Sequence, residues 1–298
     1  MSSSVVVNTC WNDEPTIFIG TVTRLEEIRN GDDLPVLELL IENSFERYEV
    51  VMSQPHPELQ LTDIPDSAVQ LMLWTAREQY AVSRSDTVIV LETPDSLLHL
   101  PESKLRYPDV AADIEQFIAQ CPVKPLADFA RRILGRPSIG IPFMNMPSHG
   151  PNQYGEPGSL AIHSLVVAQR TLATCAGFSD DERWVAAIAG LVHSIGQIHL
   201  AHSDPVDNLK LTLRTLGLIA NDLRVLEKNF ALGAGTIQHI IATMYQKFGR
   251  YQTHPLAMAV QTADRLTDAL CVQAAREKEL FLIAPAGPPA PCGNSTLC

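Results

Sequence analysis

The stretch GLVHSIGQIH, residues 190–199, constrains the fold of this chain more than any other segment. It closes a segment of helical periodicity whose apolar stripe consists of Val185, Ile188, Val192 and Ile195. His193 lies at the edge of that stripe, between the apolar and polar faces of the predicted helix. A histidine at such a position is either a hydrogen-bonded core residue or a metal ligand. Other segments of the sequence distinguish between these two roles.

Two further helical segments each place a candidate ligand beside an apolar stripe. In GSLAIHSLVVAQ, His163 lies between Leu160 and Val167, so we expect it to point towards the core. In LAMAVQTADRLTDAL, Asp264 flanks the stripe and Asp268 follows one turn later. Two imidazoles and a carboxylate from different helices could hold a divalent metal ion. Such an ion would activate water and neutralise a phosphoryl group.

These segments resemble the motifs of HD-domain proteins. PGSLAIHSL is similar to their PGGLLxHSL segment, LVHSIGQ to LLHDIGK, and TADRLTDAL to the final ADxLDA. GTIQHIIATM resembles the helix that supplies another metal-site histidine, and RRILGRPSIGIPFMNMPS the segment that runs into the family's loop. The motifs occur in the family's order and spacing over residues 124–275. Within this family, the chain resembles in particular the exoribonucleases that carry an OB-fold ahead of the HD domain and the HD-type relaxases of conjugative elements.

The resemblance implies a set of site residues. His163, His193 and Asp264 match catalytic positions that also bind metal, and His239 matches an accessory metal ligand. The implied cofactor is a divalent ion such as manganese, magnesium, iron or zinc. A chain that has lost the chemistry would need none.

The chain departs from the family at the positions that matter most. Ser194 stands where the metal-bridging aspartate belongs, and Gln197 replaces the lysine that would meet substrate phosphate. Gln153 and Tyr154 stand where the loop should carry paired histidines. A neutral serine hydroxyl cannot bridge two cations as a carboxylate does. The sequence therefore favours a mononuclear site over a two-metal centre, with His199 or His202 as substitute ligands.

Arginines precede the long loop and are candidates for substrate binding. Arg131 and Arg132, with Arg136, could contact phosphate, as could Gln197 at the lysine position. A solvated helix face also explains these arginines and is the favoured interpretation.

Composition limits the class of protein. The chain has 298 residues, of which 46% are hydrophobic and 19% charged, as expected of a folded protein. It shows no apolar run of membrane-span length and no signal peptide, so we expect a cytoplasmic location. The six cysteines form no CxxC pair, which favours reduced thiols over a disulfide framework or a zinc knuckle.

The net charge is unevenly distributed. Of the total of −12, residues 1–120 carry −14 and residues 121–298 carry +2. The change predicts a domain boundary near residue 120. An acidic first half repels a phosphate backbone, so nucleic-acid binding should be weak. We expect this module to bind a protein partner instead.

The fold class predicted is α+β, in three parts. Residues 1–120 form a β-rich module, OB-like or a generic scaffold, with strands in 16–52 and in SDTVIVLE and a helix over 63–79. Residues 121–282 form an all-α HD-like domain, with a Pro/Gly-rich loop over 137–158. Its later helices are predicted over 158–177, 180–197, 205–220, 222–229, 232–248 and 255–281. Residues 283–298 form a disordered Pro/Gly-rich tail.

Two functions follow from these observations. One is an active mononuclear phosphodiesterase or nuclease on an HD scaffold, supported by the order of the motifs. The other is a degenerate HD protein, or pseudoenzyme, of a mobile genetic element, with catalysis lost or reduced and a binding or assembly role. The missing aspartate, lysine and loop histidines favour the second.

Overall fold

The computed structural model describes residues 15–29, 35–52, 68–74, 83–91, 96–148, 156–199, 207–245 and 254–283. Side chains of the last segment are described up to residue 270. Within these residues the chain is α+β, with a β-barrel followed by a helical domain. No described helix is long and apolar enough to cross a membrane.

The described residues of the barrel form five strands. They are β1 (Thr16–Arg29), β2 (Pro35–Glu42), β3 (Arg47–Met52), β4 (Ala68–Trp74) and β5 (Ser83–Val90). Their order around the closed barrel is β1-β2-β3-β5-β4, and the β3–β5 pair is parallel while the other neighbours are antiparallel. Inward side chains such as Phe18, Leu39 and Leu71 form a core of their own. The β-rich module and its strands in 16–52 are thereby confirmed.

One expectation for this module was wrong. The segment 63–79 was predicted to be helical, but its described part, Ala68–Trp74, is strand β4. Its buried residues Val69, Leu71 and Leu73 alternate with more exposed ones, and Leu71 pairs with Phe18 of β1. A short run of apolar residues is compatible with the periodicity of a helix and with that of a strand. Here, pairing with the two neighbouring strands makes the segment a strand.

The described residues of the helical domain form seven α-helices. They are α1 (Pro108–Ala119), α2 (Lys124–Leu134), α3 (Pro137–Asn145), α4 (Ser159–Thr174), α5 (Asp180–Val192), α6 (Asn208–Thr243) and α7 (Pro255–Ile283). The three helices predicted between 205 and 248 are one helix, α6, which is kinked at Phe230 (φ −155°, ψ 72°). The predicted break at 229–232 therefore corresponds to a kink, and the predicted break near 221 does not exist.

Helix α3 replaces the first part of the predicted Pro/Gly-rich loop. Pro137 lies in the first turn, where its missing N–H has no helical partner to lose. Pro142 lies inside the helix and does remove a main-chain hydrogen bond. Burial of Ile139, Phe143 and Met144 outweighs that loss, because these side chains join the main core. Of the remainder of the loop, residues 149–155, which include Gln153 and Tyr154, lie outside the described residues.

The hydrophobic core of the helical domain begins ahead of residue 121. Leu97, Leu100 and Leu105 are buried in it, as is most of the apolar face of α1. The barrel is joined to this part of the chain by hydrogen bonds, among them Ser44 N–H to the Leu98 carbonyl (2.9 Å) and Thr21 Oγ1 to the His99 carbonyl (3.0 Å). The predicted tail lies outside the described residues, except for Ile283 at the end of α7.

Candidate metal centre

Three helices bring two histidines and an aspartate together. His163 comes from α4, His193 directly follows α5, and Asp264 comes from α7. Asp264 Oδ1 lies 3.0 Å from His163 Nε2 and 3.2 Å from His193 Nε2. One ligand atom from each residue lies within 4.8 Å of the other two. The sequence named the same three residues from separate motifs, and the structure places them around one point.

The outer ring nitrogens are also engaged, which fixes how the inner ones can act. His193 Nδ1 lies 2.7 Å from the Gly190 carbonyl, which can only accept, so Nδ1 carries a proton and donates it. His163 Nδ1 lies 3.7 Å from Asp268 Oδ1. In neutral imidazoles with protonated Nδ1, both Nε2 lone pairs point towards Asp264. A carbonyl or carboxylate behind the ring is the arrangement found for metal-ligating histidines.

The charges of the three groups depend on one another. Burial favours the neutral acid, but the hydrogen bonds from His163 and His193 outweigh it and hold the pKa of Asp264 well below its usual range. Burial likewise opposes protonation of His193, but the hydrogen bond and charge of Asp264 raise the pKa of this imidazole. The raised pKa favours a proton on Nε2 of His193, which would donate to Asp264.

Local sequence explains how His193 is held. Ser179 and Glu182 form a capping box at the start of α5, and they fix where the helix begins. After the helix, Gly196 N–H donates to Thr215 Oγ1 (3.1 Å), which donates to the His193 carbonyl (3.2 Å). A Cβ on Gly196 would lie 2.7 Å from that Thr215 oxygen, so the close approach requires glycine.

Ser194 has a partner of its own. Its hydroxyl is fully buried and lies 3.1 Å from the Ser164 hydroxyl of α4. The dipeptides His163-Ser164 and His193-Ser194 therefore face each other, histidine near histidine and serine against serine. The ring centroids of the two histidines are 5.8 Å apart. The position that the resemblance assigns to a bridging carboxylate is occupied by a neutral hydroxyl pair.

The structure does not bring His239 into the cluster. Its side chain is exposed on α6, and its ring centroid lies 6.0 Å from that of His254. The substitute candidate His199 is exposed at the end of the short 3₁₀ helix Ile195–His199, and His202 lies outside the described residues. Gln197 is buried within that 3₁₀ helix, where its N–H donates to the Ser194 carbonyl (2.9 Å).

The arginines predicted to contact phosphate form ion pairs between helices. Arg131 Nε lies 2.7 Å from Glu115 Oε1 of α1. Arg132 Nε lies 3.4 Å from Asp222 Oδ1 of α6, and Arg136 contacts the same carboxylate at 2.7 Å. All of these groups are largely buried, so the pairs hold helices together. This outcome agrees better with a structural role than with substrate binding.

Two features of the surroundings had no role assigned from the sequence. The pKa of Tyr245 is raised by burial and by the charges of Asp264 and Asp268, so the phenol keeps its proton beside them. A cavity of about 420 Å³ also opens beside His163, with Tyr107, Ile162, Val166 and Arg170 in its wall. Neither could be read from local spacing, because Tyr107 and Tyr245 reach the site through tertiary packing.

Comparison with known proteins adds no relative. No family model matches the chain, and neither a curated protein nor a solved structure matches it.

Proposed function

We propose that this chain is a degenerate HD-domain protein that binds one divalent metal ion through His163, His193 and Asp264. In this proposal, its phosphohydrolase activity is lost or reduced and its role is in binding or assembly. The observation that carries the proposal is the convergence of three ligand atoms from three helices within 4.8 Å. The order of the HD-like motifs along the chain supports the family, and the geometry supports the metal.

The residues present fit a borderline divalent ion. Two imidazole nitrogens and one carboxylate oxygen suit zinc, manganese or iron better than magnesium, which prefers oxygen ligands. Once bound, such an ion would supply a Lewis acid for a phosphoryl oxygen. The Gly190 carbonyl and the Asp268 carboxylate would orient the two rings. The raised pKa of Tyr245 makes its hydroxyl a hydrogen-bond donor and not a base at neutral pH.

We expect reduced catalysis because the chain lacks a carboxylate at position 194 that could hold a second metal ion. Ser194 Oγ is directed at Ser164 Oγ and provides no negative charge to hold a second cation. Asp268, a further carboxylate, lies 3.7 Å from the outer ring nitrogen of His163, Nδ1. One ion can polarise a phosphoryl group, but it cannot stabilise both the attacking and the leaving oxygen as a pair of ions does.

The barrel is the proposed partner-binding module. A closed five-stranded barrel with a meander β1-β2-β3 supports an OB-type assignment. Ile17, Met72 and Ile89 are large apolar residues exposed on its outer surface, and Ile17 is the direct cross-strand neighbour of Met72. With the charge of −14 over residues 1–120, such a surface fits a protein partner better than nucleic acid. The cytoplasmic location and the origin in a mobile element stay predictions from the sequence.

A second candidate function is an active mononuclear phosphodiesterase or nuclease. The observation that favours it is the cavity of about 420 Å³ whose wall includes His163. This volume is typical of small-molecule sites, and a purely structural cluster would need no such opening.

Metal binding and turnover separate these possibilities. We expect one equivalent of Mn²⁺ or Zn²⁺ to bind to the chelator-stripped full chain in a calorimetric titration. Binding should be lost in His193→Ala and kept in His199→Ala, which removes an exposed histidine outside the cluster. Cleavage of single-stranded RNA or bis(p-nitrophenyl) phosphate with Mn²⁺ should be slow or absent. No binding of either ion overturns the proposal, and fast Mn²⁺-dependent cleavage lost in His193→Ala favours the second candidate.

The same titration decides the role of His239. Its position outside the cluster predicts unchanged metal affinity in His239→Ala. A loss of about tenfold or more would restore it as an accessory ligand.

A further inference from the structure

The cavity beside His163 has the size and composition of a small-molecule site. Its volume of about 420 Å³ lies within the range of about 300–1,000 Å³ usual for such sites. Most of the wall is apolar. Its apolar side chains come from the segment before α1, the turn before α4, α4 itself and α7: Tyr107, Pro157, Ile162, Val166 and Leu270. An apolar wall of this kind selects a ligand with an aromatic or aliphatic body.

The cation in this wall is Arg170, and it differs from the other arginines of the helical core. Arg131, Arg132 and Arg136 each contact a carboxylate at 3.4 Å or less. Arg170 Nη1 instead donates to the Thr267 hydroxyl at 2.9 Å, and within the described part of the chain no carboxylate pairs with it. Among the described residues, its charge is thus held in place without a neutralising carboxylate.

The hydrogen bond to Thr267 also orients the guanidinium. Thr267 Oγ1 donates its own proton to the Ala263 carbonyl at 2.7 Å, so it can only accept from Arg170. A half-buried arginine that is fixed in position and still has free N–H groups is suited to bind an oxyanion, because its planar fork matches phosphate or carboxylate oxygens.

The cavity is continuous with the wall of the candidate metal centre. His163 lines it, while Nε2 of the same ring faces Asp264 at 3.0 Å. Arg170 follows His163 by seven residues on α4, two helical turns or about 10.5 Å along the axis, so both lie on one face. Glu156, the carboxylate that lines the cavity, is exposed.

The start of α4 shapes the other wall. Gly158 has φ +87°, which L-residues with a Cβ rarely adopt, and a Cβ there would lie 2.6 Å from the Tyr107 ring. The absence of a side chain lets Tyr107 lie against the helix start and close one side of the cavity. The ring offers an apolar face to an aromatic ligand.

We propose that this cavity binds a phosphate ester with an apolar substituent, whose phosphoryl oxygens contact Arg170 and whose substituent lies against Tyr107, Ile162 and Val166. The choice of phosphate over carboxylate rests on the proposed function, because a phosphoryl group would also approach the metal centre across His163. Binding of the ester itself requires only the cavity and Arg170.

The test uses phenyl phosphate as the probe and the metal-free full chain, which excludes turnover. Calorimetry or ligand-observed NMR should show phenyl phosphate binding about tenfold or more tightly than inorganic phosphate, phenol or benzoate. If phenol binds as tightly as phenyl phosphate, the role of Arg170 is overturned. If benzoate binds as tightly, the assignment to phosphate esters is overturned. Binding of none of the probes overturns the site.

Variants test whether the probe binds in this cavity and control for loss of folded structure. Arg170→Gln should weaken phenyl phosphate about tenfold or more, whereas Arg224→Gln, which removes an exposed arginine of α6 outside the cavity wall, should leave it unchanged. Equal losses in both variants point to non-specific attraction and overturn the proposal. Val166→Trp should block the probe from the apolar side, with an unchanged far-ultraviolet circular dichroism spectrum. Normal binding in that variant places the probe elsewhere and also overturns the proposal.

Repeating the titration with Mn²⁺ separates this inference from the proposed function. If both hold, Mn²⁺ tightens phenyl phosphate binding, and His193→Ala removes the gain while leaving the metal-free affinity intact. Metal-free binding without any effect of Mn²⁺ keeps the cavity and overturns its link to the metal centre. A chain that binds no metal but still binds phenyl phosphate through Arg170 overturns the proposed function alone.

Discussion

The same dipeptide, His-Ser, occurs twice at the candidate centre, and its two environments differ. Both histidines face the same Asp264 oxygen, at 3.0 Å for His163 and 3.2 Å for His193. Behind His193 lies the carbonyl of Gly190, three residues earlier in the same chain segment. Behind His163 lies Asp268 of another helix, and beside it lies a cavity. One ring is held by its own helix and the other by the packing of α4 on α7.

This difference indicates two kinds of ligand. His193 is 2% exposed and is surrounded by the core residues at the end of α5, and the Gly190 carbonyl of that helix holds its Nδ1. The orientation of His163 depends on a carboxylate that is 30% exposed and on the α4–α7 contact. We therefore expect His193 to contribute mainly to the framework, and His163 to respond to what binds beside it.

Removing each ring tests this comparison most directly. His193→Ala leaves a void in the core and an unpartnered carbonyl, so it should lower the free energy of unfolding by about 3 kcal/mol. His163→Ala opens into an existing cavity and should lower it by about half as much. Both should abolish metal binding. Urea denaturation of the metal-free variants measures the difference, and equal losses would show that the two rings are equivalent.

Restoring the missing carboxylate tests the serine halves of the two dipeptides. Ser194→Asp places a charge at a fully buried position against Ser164, which should destabilise the metal-free chain by about 2 kcal/mol. With Mn²⁺ the loss should be recovered, and the stoichiometry should rise above one ion per chain. Ser194→Asn, which has the same shape without the charge, is the control. If Mn²⁺ rescues both variants alike, Ser194 does not occupy the bridging position.

Sequence patterns predicted that His163, His193 and Asp264 lie together more accurately than they predicted the helices and strands nearby. His163, His193 and Asp264 were identified because each lies at the edge of an apolar stripe and in a recognisable order. A stripe fixes which way a helical side chain points. Arg131 and Arg132 show the limit of this reasoning, because their partners Glu115 and Asp222 lie 16 and 90 residues away. Spacing alone does not show which surface will be covered by another helix.

The errors in secondary structure have a common physical cause. Residues 68–74 and 137–145 were assigned from local composition, as helix and loop respectively. In the structure, pairing with β1 and β5 makes the first a strand, and burial of Phe143 and Met144 makes the second a helix. Differences in helix or strand propensity are about 1 kcal/mol. In both segments the tertiary contacts contribute more than this and determine the secondary structure.

Replacing Asp268 sharpens the comparison at His163 alone. Asp268→Asn keeps the shape but removes the charge behind the His163 ring, so metal affinity should fall by about 10- to 100-fold. Asp180→Asn, an exposed carboxylate at the start of α5, is the control. Competition with a chromophoric chelator measures the affinity. An unchanged affinity would mean that packing alone orients His163.

The smallest expected effect is a pH dependence of the metal-free chain. Asp264 has a depressed pKa, so the stability it contributes is present above the unfolded value of about 4 and is lost as the pH falls further. His193 has a raised pKa, so its contribution is complete below the unfolded value of about 6.5 and is lost as the pH rises through the folded value.

Their common window therefore lies between about pH 4 and 6.5. The difference in midpoint temperature between the metal-free chain and Asp264→Asn should be largest there, at a few degrees, and should shrink by about pH 9. Zn²⁺ should reverse the trend, because the ion replaces the proton on His193 and binds more tightly as the pH rises. A difference that stays constant from pH 5 to 9 without metal would show that no proton is shared between His193 and Asp264. The cluster would then be neutral imidazoles beside a carboxylate, and the framework role of His193 would rest on its contact with the Gly190 carbonyl alone.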